Sequence, residues 1–366
     1  MTGPLTGVRV VEFAGLAPAP FATMMLADHG AEVVRIDRRL PTVHEPDLLG
    51  RGRAVLHVDL KDATAASAVR RLVDGADVLV EGFRPGVMER LGLGPEECLG
   101  RNPRLVYGRM TGWGQTGRLA RSAGHDINYV ALSGALGAIG PAGGPPVPPT
   151  NMVGDFGGGG LLLAFGIVSA LVERARSGRG QVVDAAMIDG AGLFTTHLHS
   201  MRADGSWTGA RGENILDGGA PFYRCYATSD AGYMSVGSIE PAFYALLLAG
   251  LGLDPTELPT QLDSAGWPAL HARFEERFAA RTRAEWTATF ADTDACVHPV
   301  LLPEEVAGAP LTVERSAFVT VGGLAQPAPA PRFGRTVSGV PLPRRPAASA
   351  ALASWGLADD EIASLV

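Results

Sequence analysis

The sequence predicts an α/β protein, with a large domain on a mostly parallel sheet and a second, smaller α/β domain. Two observations carry this reading. Residues 8–13 (V-R-V-V-E-F) and 32–37 are short apolar runs joined by a helical pattern, which makes a βαβ unit near the start of the chain. The alternation then recurs, and strands alternating with helices imply parallel pairing with the helices laid on the sheet faces.

Taken in order, the elements begin with the strand 8–13, a Gly/Pro turn at 15–20, a helix at 21–29 and the strand 32–37. A helix near 63–72 follows, then strands at 78–81 and 105–110. P-A-G-G-P-P-V-P-P at 141–149 reads as a loop, because prolines and glycines at that density support neither ladder nor helix. The glycine run 157–160 leads into an apolar helix at 161–174, then a basic turn at 176–180 and a strand at 181–185. Residues 205–219 are glycine-rich and read as a connector, and 221–300 as the smaller α/β region. Prolines at 327–331 and 341–346 mark a linker and the approach to a terminal helix. The expected division is a large domain of 1–190 plus 318–366, a small domain of 220–300, and linkers at 191–219 and 301–317.

Composition narrows the function classes. The chain has 366 residues, 46% of them hydrophobic and 19% charged, which suits packed domains rather than disorder. A net charge of -7 without a basic run argues against a nucleic-acid partner. Lys61 is the only lysine, so the basic side chains are arginines, whose planar fork suits phosphate. Cys98, Cys225 and Cys296 are scattered and odd in number, which fits reduced thiols better than disulfides or a zinc site. The start carries no signal-peptide pattern, the end no peroxisomal one, and the longest apolar run, 161–172, is shorter than a membrane span. A cytoplasmic protein without a membrane partner is expected. The first βα turn lacks G-x-G-x-x-G, so a dinucleotide is not indicated.

Two motifs carry candidate chemistry. G-H-D-I-N-Y at 124–129 offers an imidazole, and V-G-D-F-G-G-G-G at 153–160 a carboxylate, each beside glycine. A histidine and an aspartate facing one carbon from opposite sides can remove a proton on one face and return one on the other. His125 has the unperturbed pKa of a base suited to neutral pH. Asp155 reads equally as the N-cap of the helix that follows, and the two roles are compatible. As a cap it would lie beside backbone N–H groups able to hold a developing enolate oxygen. The four glycines imply that something approaches the backbone closely there. Glu240, in V-G-S-I-E-P, reads on pattern alone as a solvated residue ahead of Pro241. Arg38, Arg84 and Arg90 stand near strand ends, where ligands of such sheets bind.

The stretches G-V-R-V-V-E-F-A-G-L-A-P-A-P-F-A, A-E-V-V-R-I-D-R, V-D-L-K-D, E-G-F-R-P-G-V-M-E-R-L-G-L-G, R-M-T-G-W-G-Q-T-G, A-G-H-D-I-N-Y, N-M-V-G-D-F-G-G-G and V-G-S-I-E-P-A-F-Y resemble the family III CoA-transferase superfamily, and within it the α-methylacyl-CoA racemases. The resemblance implies a large Rossmann-like CoA-binding domain, a smaller α/β domain and an interlaced homodimer. It implies that His125 and Asp155 are the two bases, with Glu240 hydrogen-bonding the histidine from the other subunit. CoA-binding positions carried over the same way are Arg38, Val58, Asp59, Leu60, Lys61, Gly82, Phe83, Arg84, Arg90, Gly124, Asp126, Ile127, Asn128 and Tyr129. No metal or separate cofactor is implied, because CoA arrives as part of the thioester substrate.

Two alternatives stand beside that reading. In the transferase branch the equivalent aspartate is a nucleophile that forms an acyl anhydride, while the G-H-D-I-N-Y histidine favours racemisation. A CoA-binding protein without catalysis would have lost one of the acid–base residues, and all three are present. One departure concerns the acyl path, which racemases of this kind line with methionines. Residues 192–207 retain only Met201, with Phe194, His197 and His199 among apolar neighbours, and Asn214 is followed by Ile215 and Leu216. Drift along a helix face and a shorter or more polar acyl group both account for this.

Overall fold

A computed structural model describes residues 2–38 and 46–365. Met1 and Val366, the outer limits of the predicted large domain, lie outside the described residues. The strands are β1 (Arg9–Phe13), β2 (Glu32–Asp37), β3 (Arg53–His57), β4 (Val78–Glu81), β5 (Val106–Thr111), β6 (Val182–Ala186), β7 (Tyr223–Ala227), β8 (Tyr233–Gly237), β9 (Val297–Pro299), β10 (Phe318–Val321), β11 (Leu324–Pro327) and β12 (Arg345–Pro346).

Seven of them form one sheet in the order β12-β3-β2-β1-β4-β5-β6, and every pairing in it is parallel. The strand order reverses beside β1, between β2 and β4, and a crevice opens beyond the carboxyl ends at such a point. Successive residues alternate between the two faces. Val11, Phe13, Val34, Ile36 and Leu79 pack with the helix Ala63–Asp74 and the C-terminal residues Leu352, Trp355 and Ile362. Val10, Val33, Val78 and Val80 pack with the helices Pro18–Asp28 and Leu162–Ser177. With both faces covered, the strands read as continuous apolar runs rather than an apolar/polar alternation.

The predicted strands at 8–13, 32–37, 78–81, 105–110 and 181–185 differ from β1, β2, β4, β5 and β6 by at most one residue at either end. The sequence reading missed β3. Its first residue is Arg53, fully buried, and no apolar pattern announces a buried arginine. Arg53 Nε lies 2.5 Å from Glu12 Oε2, and Arg35 Nη1 lies 2.7 Å from Glu12 Oε1. Arg53 also donates to the Pro20 carbonyl and, at 2.5 Å, to Thr23 Oγ1. This buried charge cluster ties β1, β2 and β3 to the first turn of the helix above them. That helix starts at Pro18 instead of the predicted 21, since proline fits a first turn, where its missing N–H costs nothing.

The segment Met152–Leu161 is a π-helix that runs on without a break into Leu162–Ser177. The continuous helix has 26 residues, and an 18-residue window of it reaches a mean hydropathy of 1.7, so by length and composition it could cross a membrane although its uninterrupted apolar run is shorter. Its inner side covers the sheet: Leu163 and Ile167 are fully buried, and a Cβ on Gly108 of β5 would lie 3.2 and 3.3 Å from them.

The chain divides into two compact units. Unit 1 comprises Met1–Ser133, Thr150–Phe194 and Ala307–Val366, and unit 2 comprises Gly134–Pro149 and Thr195–Val306. The proline-rich loop 141–149, expected within the large domain, therefore belongs to unit 2, as do most of the two predicted linkers' residues up to Val306. Unit 2 is built on the antiparallel sheet β7-β8-β9, backed by helices Pro241–Leu251, Trp267–Ala279 and Arg283–Phe290 around Phe222, Tyr226, Phe274, Phe278 and Trp286.

Candidate active site

A cleft of about 590 Å³ lies in unit 1 beyond the carboxyl ends of the strands. The turn after β1 supplies Ala14, Gly15 and Leu16, β2 is followed by Arg38, β4 by Gly82, Phe83 and Arg84, and β5 ends in Met110 and Thr111. His125, Asp155, Gly124 and Tyr129 close it. Eight of the residues singled out from sequence thus line one cavity: Arg38, Gly82, Phe83, Arg84, Gly124, His125, Tyr129 and Asp155.

Buried carboxylates set the strand-end loops. Asp37 Oδ1 accepts the Arg38 N–H at 2.8 Å. Glu81, fully buried, accepts the Phe83 N–H at 2.7 Å and pairs with Arg109 at 2.9 Å. Burial, the largest influence on Glu81, pushes its pKa up, and the Phe83 N–H and Arg109 oppose this. Among the described residues, exposed Arg38 and Arg84 are the arginines that line the cleft.

His125 is exposed and caps the helix Asp126–Leu132. Its N–H donates to Asn128 Oδ1 at 3.0 Å, so Asn128 closes the helix start. Tyr129 reaches back from the same helix and donates to the Gly124 carbonyl. Its ring stands edge-on to Trp113 at 4.7 Å and fills the space a Cβ on Gly112 would take. Burial first, then the nearby Asp155 charge, raise the Tyr129 pKa, so it stays a phenol at neutral pH.

Asp155 sits half-buried in the first part of the π-helix. It is not a helix cap, which corrects the capping reading: Asn151 holds that position. The Asp155 N–H is not free for an enolate oxygen either, since it donates to Asp126 Oδ1 at 2.7 Å. Burial raises the Asp155 pKa above the usual carboxylate range and the Asp126 charge adds to that, while the Asn151 amide, 3.4 Å from Oδ2, and His125 pull it down. Asn151 escaped the sequence reading, although it stands four residues before Asp155 within N-M-V-G-D.

The glycine run is closely approached, as expected. What comes close is the protein's own neighbouring elements. A Cβ on Gly158 would lie 2.6 Å from the Ala191 N, and one on Gly190 only 1.9 Å from the Gly158 carbonyl oxygen. The π-helix and the helix Met187–Leu193 therefore cross backbone to backbone.

The remaining sequence candidates are not among the residues that line the cleft. Val58 is buried, and Asp59, Leu60 and Lys61 form a turn beyond β3, with Asp59 Oδ1 accepting the Lys61 N–H at 3.0 Å. Arg90 is exposed and passes over Gly86. Ile127 and Asn128 are exposed on their helix, and Asp126 is buried. Glu240 is exposed in unit 2, at the start of helix Pro241–Leu251. Along the departed acyl segment, His197 and His199 are exposed, Met201 is buried, and Phe194 packs on Gly157. Asn214 is buried and builds its own loop through Ala210 and Asp217.

A model of CoA-transferase family III matches residues 5–350. The chain belongs to that family. It is 50% identical to the α-methylacyl-CoA racemase of Mus musculus, covering 99% of this chain and 96% of that one. The Homo sapiens α-methylacyl-CoA racemase is also 50% identical, over 86% of this chain and 82% of that one. Among solved structures, a CaiB/BaiF family protein from Brucella suis superposes with a TM-score of 0.84 at 25% identity, covering 97% of this chain and all of the other. More distant members carry transferase names, such as the acetyl-CoA:oxalate CoA-transferase of Acetobacter aceti, 32% identical over 89% of this chain and 88% of that one.

Proposed function

We propose that this family III protein is an isomerase that interconverts the (R) and (S) forms of 2-methylacyl-CoA thioesters. The observation that carries the reading is the meeting of His125 and Asp155 in one cleft, in a chain 50% identical to racemases of that name. A thioester acidifies its α-hydrogen. One of the two groups removes that proton, the planar enolate loses the stereocentre, and the other group delivers a proton to the opposite face. Asp155, its pKa lifted by burial, is a stronger base when ionised and a more available acid when protonated than a solvated carboxylate. Arg38 and Arg84 offer the cleft's positive charge to the phosphates of CoA.

The reading includes a homodimer in which Glu240 of one subunit orients His125 of the other. It is supported by an apolar stripe on the long helix: Leu161, Phe165, Val168 and Val172 share one side and are all exposed in the single chain. A cytoplasmic location fits the three free thiols.

The test is α-proton exchange in deuterated water with the separate enantiomers. Deuterium incorporation with loss of optical purity from both establishes the racemase. His125→Ala and Asp155→Ala each then lower the rate by on the order of a hundred- to ten-thousand-fold while CoA binding persists. Racemisation at the wild-type rate by either variant overturns the two-base assignment. Absence of exchange, with CoA passing to an added carboxylic acid, would instead assign Asp155 as a transferase nucleophile.

A further inference from the structure

Asp126 follows His125 directly, and the family resemblance places it among the CoA contacts. Its surroundings point elsewhere. The side chain is buried, its Oδ1 accepts the Asp155 N–H at 2.7 Å, and its Oδ2 is enclosed without a hydrogen-bond partner. The bare backbone at Gly154 makes the room: a Cβ there would lie 2.4 Å from Asp126 Oδ1 and 3.1 Å from Val130 Cγ2. One carboxylate therefore fastens two segments 29 residues apart, the helix capped by His125 and the π-helix that carries Asp155.

We propose that the Asp126 carboxylate is a positioning group, pinning the Asp155 backbone beneath the cleft and so setting where the two acid–base groups stand relative to each other, without itself contacting CoA. The inference rests on the racemase reading above. A misplacement of about 1 Å in such a pair costs roughly a hundredfold, so the clamp matters although it touches no reacting atom. It also acts through charge. Asp155 feels Asp126 and His125 in opposite senses, with the neutral Asn151 amide at its carboxylate, and the neighbouring Tyr129 feels both carboxylates in one sense and Arg84 in the other.

Two variants separate the contributions. Asp126→Asn keeps an oxygen to accept the Asp155 N–H and removes the charge, whereas Asp126→Ala removes both. Both would be followed by α-proton exchange across pH with each enantiomer, and by calorimetric binding of CoA. The alanine variant is expected to lose about ten- to a hundredfold in kcat with both enantiomers, while CoA affinity stays within about twofold. The asparagine variant is expected to lose less, and its acidic limb in kcat/KM moves to lower pH. The sign follows because a negative neighbour raises a carboxyl's pKa, so its removal keeps Asp155 ionised further into acid.

An acidic limb that does not move in Asp126→Asn overturns the proposal, and this arm decides even where the alanine variant fails to fold. Tenfold weaker CoA binding with kcat unchanged also overturns it, making Asp126 a CoA contact. The wild-type protein in the same assay separates the two failures. Without wild-type exchange the racemase reading falls, whereas wild-type exchange matched by both variants removes only the role of Asp126.

Discussion

At the scale of single residues, the site's chemistry is set by what surrounds one carboxyl. Burial raises the Asp155 pKa more than any neighbour does, and the Asn151 amide opposes it through a long contact of 3.4 Å. Asn151→Ala removes a donor that favours the ionised form, so the Asp155 pKa rises. The acidic limb of kcat/KM should accordingly move a little to higher pH, opposite in sense to the shift expected for Asp126→Asn. A pH profile of α-proton exchange reads both, and a downward shift in the Asn151 variant would remove the amide from the account. Tyr129 has a different part, since its hydroxyl holds the Gly124 carbonyl and its ring occupies the space beside Gly112. It braces the loop that presents His125.

At the scale of elements, the π-helix is the unusual feature. Such segments are rare, because the wider turn gives poorer packing, and they concentrate at functional sites. Here the segment survives because its glycines let neighbouring backbone close in. Gly158 and Gly190 cross without side chains between them, and helix Met187–Leu193 continues directly from β6, so the site is fastened to the sheet. Gly158→Ala places a methyl group 2.6 Å from the Ala191 N, where backbone rather than a flexible side chain must yield. A destabilisation of about 1–3 kcal/mol or more is expected in urea unfolding, with loss of exchange activity in the folded fraction. Wild-type stability in this variant would show that the crossing relaxes freely. The loops bearing Arg38 and Phe83 are held by a second device, the carboxylates of Asp37 and Glu81 at the strand ends.

At the scale of the whole molecule, the long helix presents two different sides. Leu163 and Ile167 are buried against β5, whereas Phe165 is 69% and Val172 58% exposed. An apolar row of that length on a helix otherwise committed to a core suits a second copy of the chain. Phe165→Glu puts a charge in the middle of the row and should shift the protein toward monomer in sedimentation velocity. Exchange activity should fall with it, because the proposed pairing of Glu240 with His125 needs two subunits. A fully active dimer in this variant would assign the interface to another surface.

What the sequence determined by itself was the parallel sheet and the two motifs whose histidine and aspartate meet at one cleft. Apolar runs separated by helical spacing mark buried strands whatever the later packing, and G-H-D-I-N-Y and V-G-D-F-G-G-G-G are long local motifs. Three features were decided only by the tertiary structure. Strand β3 opens on Arg53, whose burial depends on Glu12 from another strand, so its pattern is invisible locally. Asp126 and Asp155 are joined by a hydrogen bond across 29 residues, a link that neither local motif records. The glycine run announced a close approach without naming the partner, because sequence records the missing side chains and not what approaches them. Close packing between segments distant along the chain supplied the answer.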